Sequence, residues 1–401
     1  MASRPFRNDT PVNPFALVSR LRGGPGAPRT ASARPDVGCR AALALVSMIV
    51  MAAARLAAGA EPAAPAGGPA DGAGPVAAFR ALCAARSEAA EKANTMTVEG
   101  KDGWLFLDAE LRHMSVGRFW GEDAARVTRA SKPEWSDPIP AILDFKEQLA
   151  KLNIPVILVP VPPKSVIYPE MVGDAAAGSS PRLDVCHQEF YKLLRDRGVE
   201  VLDLTDEFIQ ARKQDAGDRR VYCMTDTHWS PAACELAARR LAALAEKPLG
   251  LPQLHNPFKV ETRAIEIVGD LEKARSGEAA KRETLAARVV SPSGEDAKVT
   301  DTVDRTSPVL LLGDSHCLVF HAGGDMLATG AGLADQLAFD LCIPVDLLGV
   351  RGSGATPARM TLMQRARGDD KYLAGKKIVI WCFAAREFTE SQGWRKVPVV
   401  K

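Results

Sequence analysis

Several common signals are missing from this 401-residue chain. Its 51 basic and 49 acidic side chains leave a formal net charge of only +2, and no dense Lys/Arg stripe is present. That excludes the electrostatic footprint of a nucleic-acid binder. The eight cysteines are scattered, with no C-x-x-C pair and no zinc spacing. Seven of them lie beyond Cys39, an odd count, so any disulfides formed in an oxidising compartment leave at least one thiol unpaired or intermolecular. No dinucleotide fingerprint or P-loop occurs. The apolar run from Ala41 to Ala54 is short for a membrane span.

What is present begins with a leader. Residues before Arg40 hold several arginines, few acids and many Gly, Pro and Ala. Arg40, the apolar run and Ala58-Gly59-Ala60 follow in the order of a secretory signal. The expected layout is therefore a leader and signal peptide over 1–60, with an N-terminal inner-membrane anchor as the alternative. A flexible Ala/Pro/Gly linker is expected over 61–78, and a folded domain over 79–401. An apolar content of 46% suffices for a large core.

From Ile139 the chain alternates. Ile142, Phe145, Leu149 and Leu152 recur at helical spacing, and Pro155–Val161 reads as a buried strand. A helix is expected over Pro181–Arg197, a strand over Val199–Leu204 and a helix over Glu207–Lys213. After the polar stretch Leu249–Arg305 come Val309–Leu312, Pro344–Val350 and Ile378–Phe383 as strands, with helices over Gly332–Leu341 and Pro357–Arg367. This pattern predicts an α/β fold with a mostly parallel sheet covered by helices on both faces. The Leu249–Arg305 stretch is read as an inserted β-rich or irregular segment.

Two short stretches carry chemistry. Pro308-Val-Leu-Leu-Leu-Gly-Asp-Ser-His-Cys317 runs a buried strand into Gly313-Asp314-Ser315 and then a short helix. Gly313 permits a turn that a side chain would obstruct. Ser315 is then exposed at the carboxyl edge of the sheet, where open α/β sheets bind ligands, and its amide can face a developing oxyanion. The plainer reading is an N-capping Asp-Ser turn. Asp226-Thr-His228 precedes Ser230-Pro231, the N-cap and first residue of an Ala-rich helix. In an extended segment both side chains enter one cleft. Alone, the pair reads equally as a structural hydrogen bond or as two metal ligands; beside a serine turn, it supplies a base and the carboxylate that orients it.

With these residues in hand, the chain resembles the SGNH hydrolase superfamily, whose nucleophile block is Gly-Asp-Ser. The Asp-x-His pair precedes the serine, the reverse of ordinary members. That circularly permuted order, with Thr225-Asp-Thr-His-Trp-Ser-Pro231, is similar to the alginate O-acetyltransferase family. Gly100-Lys-Asp-Gly-Trp-Leu-Phe-Leu107, Pro160-Val-Pro-Pro-Lys164 and Lys377-Ile-Val-Ile-Trp-Cys-Phe-Ala-Ala-Arg-Glu387 match as well, so the resemblance spans about Val98 to Trp394. It implies a flavodoxin-like SGNH sheet and an enzyme that moves acetyl groups onto exopolysaccharide hydroxyls through acetyl-Ser315, with His228 as base and Asp226 as its orienting partner. It also implies a periplasmic location and a membrane-bound O-acyltransferase that supplies the acetyl group.

No cofactor is expected, and the serine mechanism needs no metal. Secondary candidates for substrate or oxyanion contacts are Gly313, Asp314, Lys164 (leaving the 155–161 strand), and Arg351 and Gly354 in a glycine-rich turn; the Gly-x-Asn of ordinary SGNH enzymes is missing. The chain ends soon after Trp394, from which no appended carbohydrate-binding module is expected. The competing readings are an esterase or deacetylase using the same triad and a non-catalytic polysaccharide-binding assembly protein.

Overall fold

The structure is a computed structural model and describes residues 74–174, 182–250, 255–294 and 298–400. The expected signal peptide and residues 61–73 of the expected linker lie outside these residues. The described residues form nine strands: β1 (Thr97–Glu99), β2 (Leu105–Leu107), β3 (Val156–Val161), β4 (Glu200–Val201), β5 (Phe258–Ile267), β6 (Glu283–Pro292), β7 (Val309–Gly313), β8 (Asp346–Gly349) and β9 (Ile378–Ala384). Five of them build a fully parallel sheet in the order β4-β3-β9-β7-β8. Counted from β7 through β8 and β9 and then on to β3 and β4, the same order reads 2-1-3-4-5. That is the flavodoxin-like arrangement with its chain start moved, and β7 and β9 flank its switch point.

Both faces of this sheet are covered, so its three central strands are apolar throughout and split their side chains between two cores. Ile378, Ile380 and Cys382 of β9 join Val309 and Leu311 of β7 on one face; Val379, Trp381 and Phe383 join Leu310 and Leu312 on the other. The first face is packed by helices Pro75–Lys92, Pro231–Leu249 and Leu333–Leu341, the second by Pro138–Ala150, Val185–Asp196 and Thr356–Gly368. Helix Pro75–Lys92 buries Phe79 and Cys83 and starts inside the stretch expected to be linker.

Helix Pro231–Leu249 follows its sequence signals closely. Ser230 caps it by accepting from the Ala233 amide, Pro231 takes the first turn, and Gly250 ends it in the left-handed conformation at φ 55°. The polar stretch after it becomes a ribbon in which β5 and β6 pair antiparallel over ten residues each, with a short helix at Asp270–Ser276 between them. The helix expected from Pro181 begins at Val185, and the strand expected over Val199–Leu204 pairs only at Glu200–Val201. Among the described residues no helix is long and apolar enough to cross a membrane. All seven described cysteines are free thiols.

Candidate functional site

At the carboxyl end of β7 the chain turns because Gly313 has no side chain: a Cβ there would lie 1.7 Å from the Cys382 carbonyl oxygen of β9. Asp314 then fixes the turn. Its Oδ1 accepts from the His316 amide at 2.8 Å, and its Oδ2 accepts from the Ala384 amide at 2.8 Å, tying β7 to the end of β9. Asp314 is buried, so it holds the turn and does not face substrate as expected. Ser315 opens a single 3₁₀ turn, Ser315–Cys317, and is partly exposed. Asp314 is the N-cap of that turn, so the plain capping reading and the exposed serine hold together.

The imidazole arrives from the segment between β4 and β5. Asp226-Thr-His228 is not extended, as the sequence suggested, but sits in a bend bracketed by the Tyr222–Trp229 bridge. The two side chains converge because Asp226 Oδ1 accepts from both the His228 amide, at 3.0 Å, and the ring Nδ1, at 2.6 Å. Nδ1 therefore carries the proton, and Nε2, with its lone pair, lies 2.7 Å from Ser315 Oγ. Ser315, His228 and Asp226 are thus brought into one chain of hydrogen bonds from 89 positions along the sequence.

The bend is held from three sides by residues whose part was not read from sequence. Asp270 donates its amide to Asp226 Oδ2 at 2.8 Å, and its carboxylate accepts from the Thr227 amide and hydroxyl at 2.8 and 2.7 Å. Gly269 allows this approach, since a Cβ there would meet the Thr225 carbonyl oxygen at 2.0 Å. Glu283 of β6 accepts from the Met224 and Thr225 amides. Lys164 is not at the cleft: it is 2% exposed and donates to the carbonyls of Leu105, Met224 and Asp226 at 2.6, 2.9 and 3.1 Å. Its ammonium also lies 5.2 and 5.3 Å from the rings of Trp104 and Phe106. The Gly-Trp-Leu-Phe-Leu and Pro-Pro-Lys blocks therefore meet behind the site as its support.

Gly354 does adjoin the nucleophile turn; a Cβ on it would lie 2.9 Å from the Asp314 amide nitrogen. Its loop is pinned by Trp381 Nε1, which donates to the Gly354 carbonyl at 2.7 Å, and by Ser353 Oγ, which donates to the buried Glu387 at 2.5 Å. Arg351 points elsewhere and pairs with Asp325 on the surface.

Burial opposes both charges of the Asp226–His228 pair, and their mutual attraction overcomes it. Burial would push the His228 pKa down, but the Asp226 carboxylate brings it above the ordinary 6.5. Burial would push Asp226 up, but His228 and the Asp270 amide bring it down to about 2. His316 packs against His228 with ring centroids 4.8 Å apart; burial lowers it to about 4, so it is neutral beside the base. Asp314 is held well below the usual carboxylate range against the cost of burial by the His316 ring, whose Nδ1 donates to Oδ1 at 3.1 Å, then by the Arg386 charge and the Ala384 amide. Donor atoms of Asp226, His228 and Asp270 lie within 4.8 Å of one another, close enough to share a cation. All four of these carboxylate oxygens already accept N–H or O–H bonds.

The chain also matches a family. Residues 97–385 fit the family model described as "SGNH hydrolase-like domain, acetyltransferase AlgX". The chain belongs to that family. Among curated relatives, the "Probable alginate O-acetylase AlgJ" of Azotobacter vinelandii is 26% identical over 72% of this chain and 69% of its own length. The AlgJ of Pseudomonas syringae is 32% identical over 43% of this chain but only 40% of its own length. In fold, the chain is similar to the solved O-acetyltransferase domain of Pseudomonas putida AlgJ, at TM-score 0.53 and 22% identity over 74% of this chain and 92% of that one. Pseudomonas aeruginosa AlgX gives a TM-score of 0.50 at 16% identity, over 74% of this chain and 66% of that one.

Proposed function

We propose that this member of the family is a serine-dependent O-acetyltransferase that acetylates hydroxyls of an exported, alginate-like polysaccharide. The observation that carries the reading is the His228 ring, 2.6 Å from Asp226 at Nδ1 and 2.7 Å from Ser315 Oγ at Nε2. Nε2 takes the Ser315 proton as Oγ attacks the donor's acyl carbon. The oxyanion forms where the Ser315 amide can reach it, and the imidazolium returns its proton to the leaving group. Acetyl-Ser315 is then attacked by a sugar hydroxyl, whose proton passes to Nε2 and on to Ser315 Oγ as the acetyl-enzyme bond breaks. The named relatives support acetyl transfer to alginate. A periplasmic setting and a membrane-bound O-acyltransferase that supplies the acetyl group complete the proposal.

Incubation with an acetyl ester followed by mass spectrometry of the Ser315 peptide tests it. Wild type acquires one acetyl group and passes it to alginate oligosaccharides faster than to water. Ser315→Ala acquires none, and His228→Ala loses roughly 10⁴-fold or more in rate, because such groups act as a unit. Release to water alone would make the protein an esterase. No acetylation of Ser315, with polysaccharide binding intact, would make it a binding protein.

A further inference from the structure

The β5–β6 ribbon is held to the rest of the molecule by β6. The Ala286 amide donates to the Asp218 carbonyl at 2.9 Å, and the Val290 amide to the Gly330 carbonyl at 2.7 Å. β5 lies outside it and pairs with β6 alone among the described residues. Lys259 to Ala264 are exposed without a break, and Val260 keeps 45% of its surface in water. Ten residues of strand therefore present an open row of backbone N–H and C=O groups. Natural edges are ordinarily kept short, broken by a proline or a bulge, or guarded by charge. β5 contains no proline, and every residue from Phe258 to Ile267 has its partner in β6, so there is no bulge. Its charges, at Lys259, Glu261, Arg263 and Glu266, alternate in sign.

In the middle of the strand, Val260, Thr262 and Ala264 share one face, and Glu261 and Arg263 share the other. That order is its own complement. When a second β5 is laid antiparallel about a twofold axis perpendicular to the sheet at Thr262, Thr262 meets its own copy. Val260 then meets Ala264 and Glu261 meets Arg263, each pair occurring twice and on its own face. Lys259 meets Ile265, so no like charges are opposed. The two neighbouring registers that keep the faces together fail. One sets Glu261 against Glu261 and Lys259 against Arg263, and the other sets Arg263 against Arg263. Longer slips shorten the paired length. Within one chain Arg263 bonds Glu261 at 2.5 Å, but both side chains are more than half exposed, so exchanging that partner for its copy costs little.

We infer that β5 is an interaction surface for a second copy of this chain, the two strands pairing antiparallel about Thr262 into one sheet ordered β6-β5-β5-β6. A strand from a different protein would call for no such self-complementarity. The Glu283 end of each ribbon holds the Asp226–His228 bend through the Met224 and Thr225 amides. The twofold therefore sets the two bends towards opposite ends of the shared sheet.

Sedimentation equilibrium of the protein tests this. Wild type shows a concentration-dependent monomer–dimer equilibrium. Glu261→Arg opposes cation to cation twice across the axis, and Arg263→Glu opposes anion to anion twice. Each weakens association by about 10- to 100-fold. An equimolar mixture of the two variants associates again as a heterodimer, because one brings two cations to the centre of the strand and the other two anions. A wild type that stays monomeric throughout its soluble range would overturn the inference and leave the edge to a different chain. A dimer that both charge reversals leave equally tight would also overturn it, by placing the contact elsewhere. Weakened association that mixing does not restore would sink it too, since the reversals would then act by some route other than pairing of Glu261 with Arg263 between copies.

Discussion

Trp229 Nε1 donates to the backbone carbonyl of His316 across 3.1 Å. The residue after the imidazole is thus bonded to the residue after the serine, and the His228 and His316 rings pack beside that bond. This clasp sets the register between segments 87 residues apart, on which the 2.7 Å Nε2–Oγ contact depends. Trp229→Phe keeps most of the buried ring but removes the donor. Expected outcomes are about 1–2 kcal/mol of lost stability in urea unfolding, for an orphaned buried carbonyl, and a fall in acetyl-Ser315 formation of about 10- to 100-fold from misplacement of the base. A variant that unfolds earlier but acylates at the wild-type rate would show that the clasp stabilises without aligning.

The Asp226–His228 pair fixes a pH dependence. His228 has to be neutral at Nε2 to accept the serine proton, and its pKa lies above 6.5 because the Asp226 attraction exceeds the effect of burial. Acylation therefore rises with pH, with its midpoint above the ordinary imidazole value. Asp226→Asn moves that midpoint down while lowering the rate. For stability, the raised imidazole contributes fully below pH 6.5 and loses its contribution as pH rises through the folded value. The depressed Asp226 contributes above pH 3.8 and loses it as pH falls towards about 2. Rate profiles of both proteins with 4-nitrophenyl acetate check this; a midpoint that stays put in Asp226→Asn would sever the coupling.

The parallel sheet was legible because strands buried on both faces leave unbroken apolar runs, as in Val309–Leu312 and Ile378–Phe383, whereas its flavodoxin-like order came only from the family resemblance. Ser315 and the Asp226–His228 pair were legible because both lie next to strong local signals, a strand–Gly turn and a Ser-Pro helix start. What was not legible is long-range. Lys164 reads as a cleft candidate until carbonyls 59 to 62 residues away are placed around it. Asp270 gains its meaning from Asp226, 44 residues earlier. The glycine before the acid in Gly269-Asp270 is the one local signal that fits this close approach. The β5–β6 ribbon was legible only as a β-rich or irregular segment, because most of β5 is exposed, which removes the alternation that marks half-buried strands. Val199–Leu204 read as a longer strand because its apolar run outlasts the pairing. The chain leaves the sheet edge after Leu202, whose amide still donates to the Leu158 carbonyl at 2.9 Å, and Asp203 accepts from the Thr205 amide and hydroxyl to start the next helix.

Lys164→Met tests the support behind the bend. Burial lowers the Lys164 pKa, and the ammonium is held against that by the Glu283, Glu110 and Asp226 carboxylates at longer range and by its three carbonyl bonds. Methionine fills similar volume and leaves the Leu105, Met224 and Asp226 carbonyls without that donor. A loss of about 2 kcal/mol is expected, since relief of the buried charge offsets part of the lost bonding. The acylation rate should fall as well, because the Asp226 main chain is one of the three anchors. Loss of stability with an unchanged rate would confine Lys164 to the core.

Glu387 makes the last prediction, one of stability against pH. It is 5% exposed; burial, then the nearby Asp314 carboxylate, raise its pKa to about 7. Because the folded carboxyl holds its proton more tightly than the unfolded one, whose reference value is 4.5, the native state binds the extra proton between these values. Stability from this group is therefore present below pH 4.5 and lost as pH rises through 7, by an amount on the order of 3 kcal/mol. Glu387→Gln cannot ionise, yet it retains a carbonyl oxygen to accept the Ser353 hydroxyl. Relative to wild type it should gain stability between pH 5 and pH 8, visible as a difference in urea midpoint that grows with pH. A difference that stays constant across that range would mean that Glu387 is already ionised in the folded protein, with Arg386 serving as its countercharge.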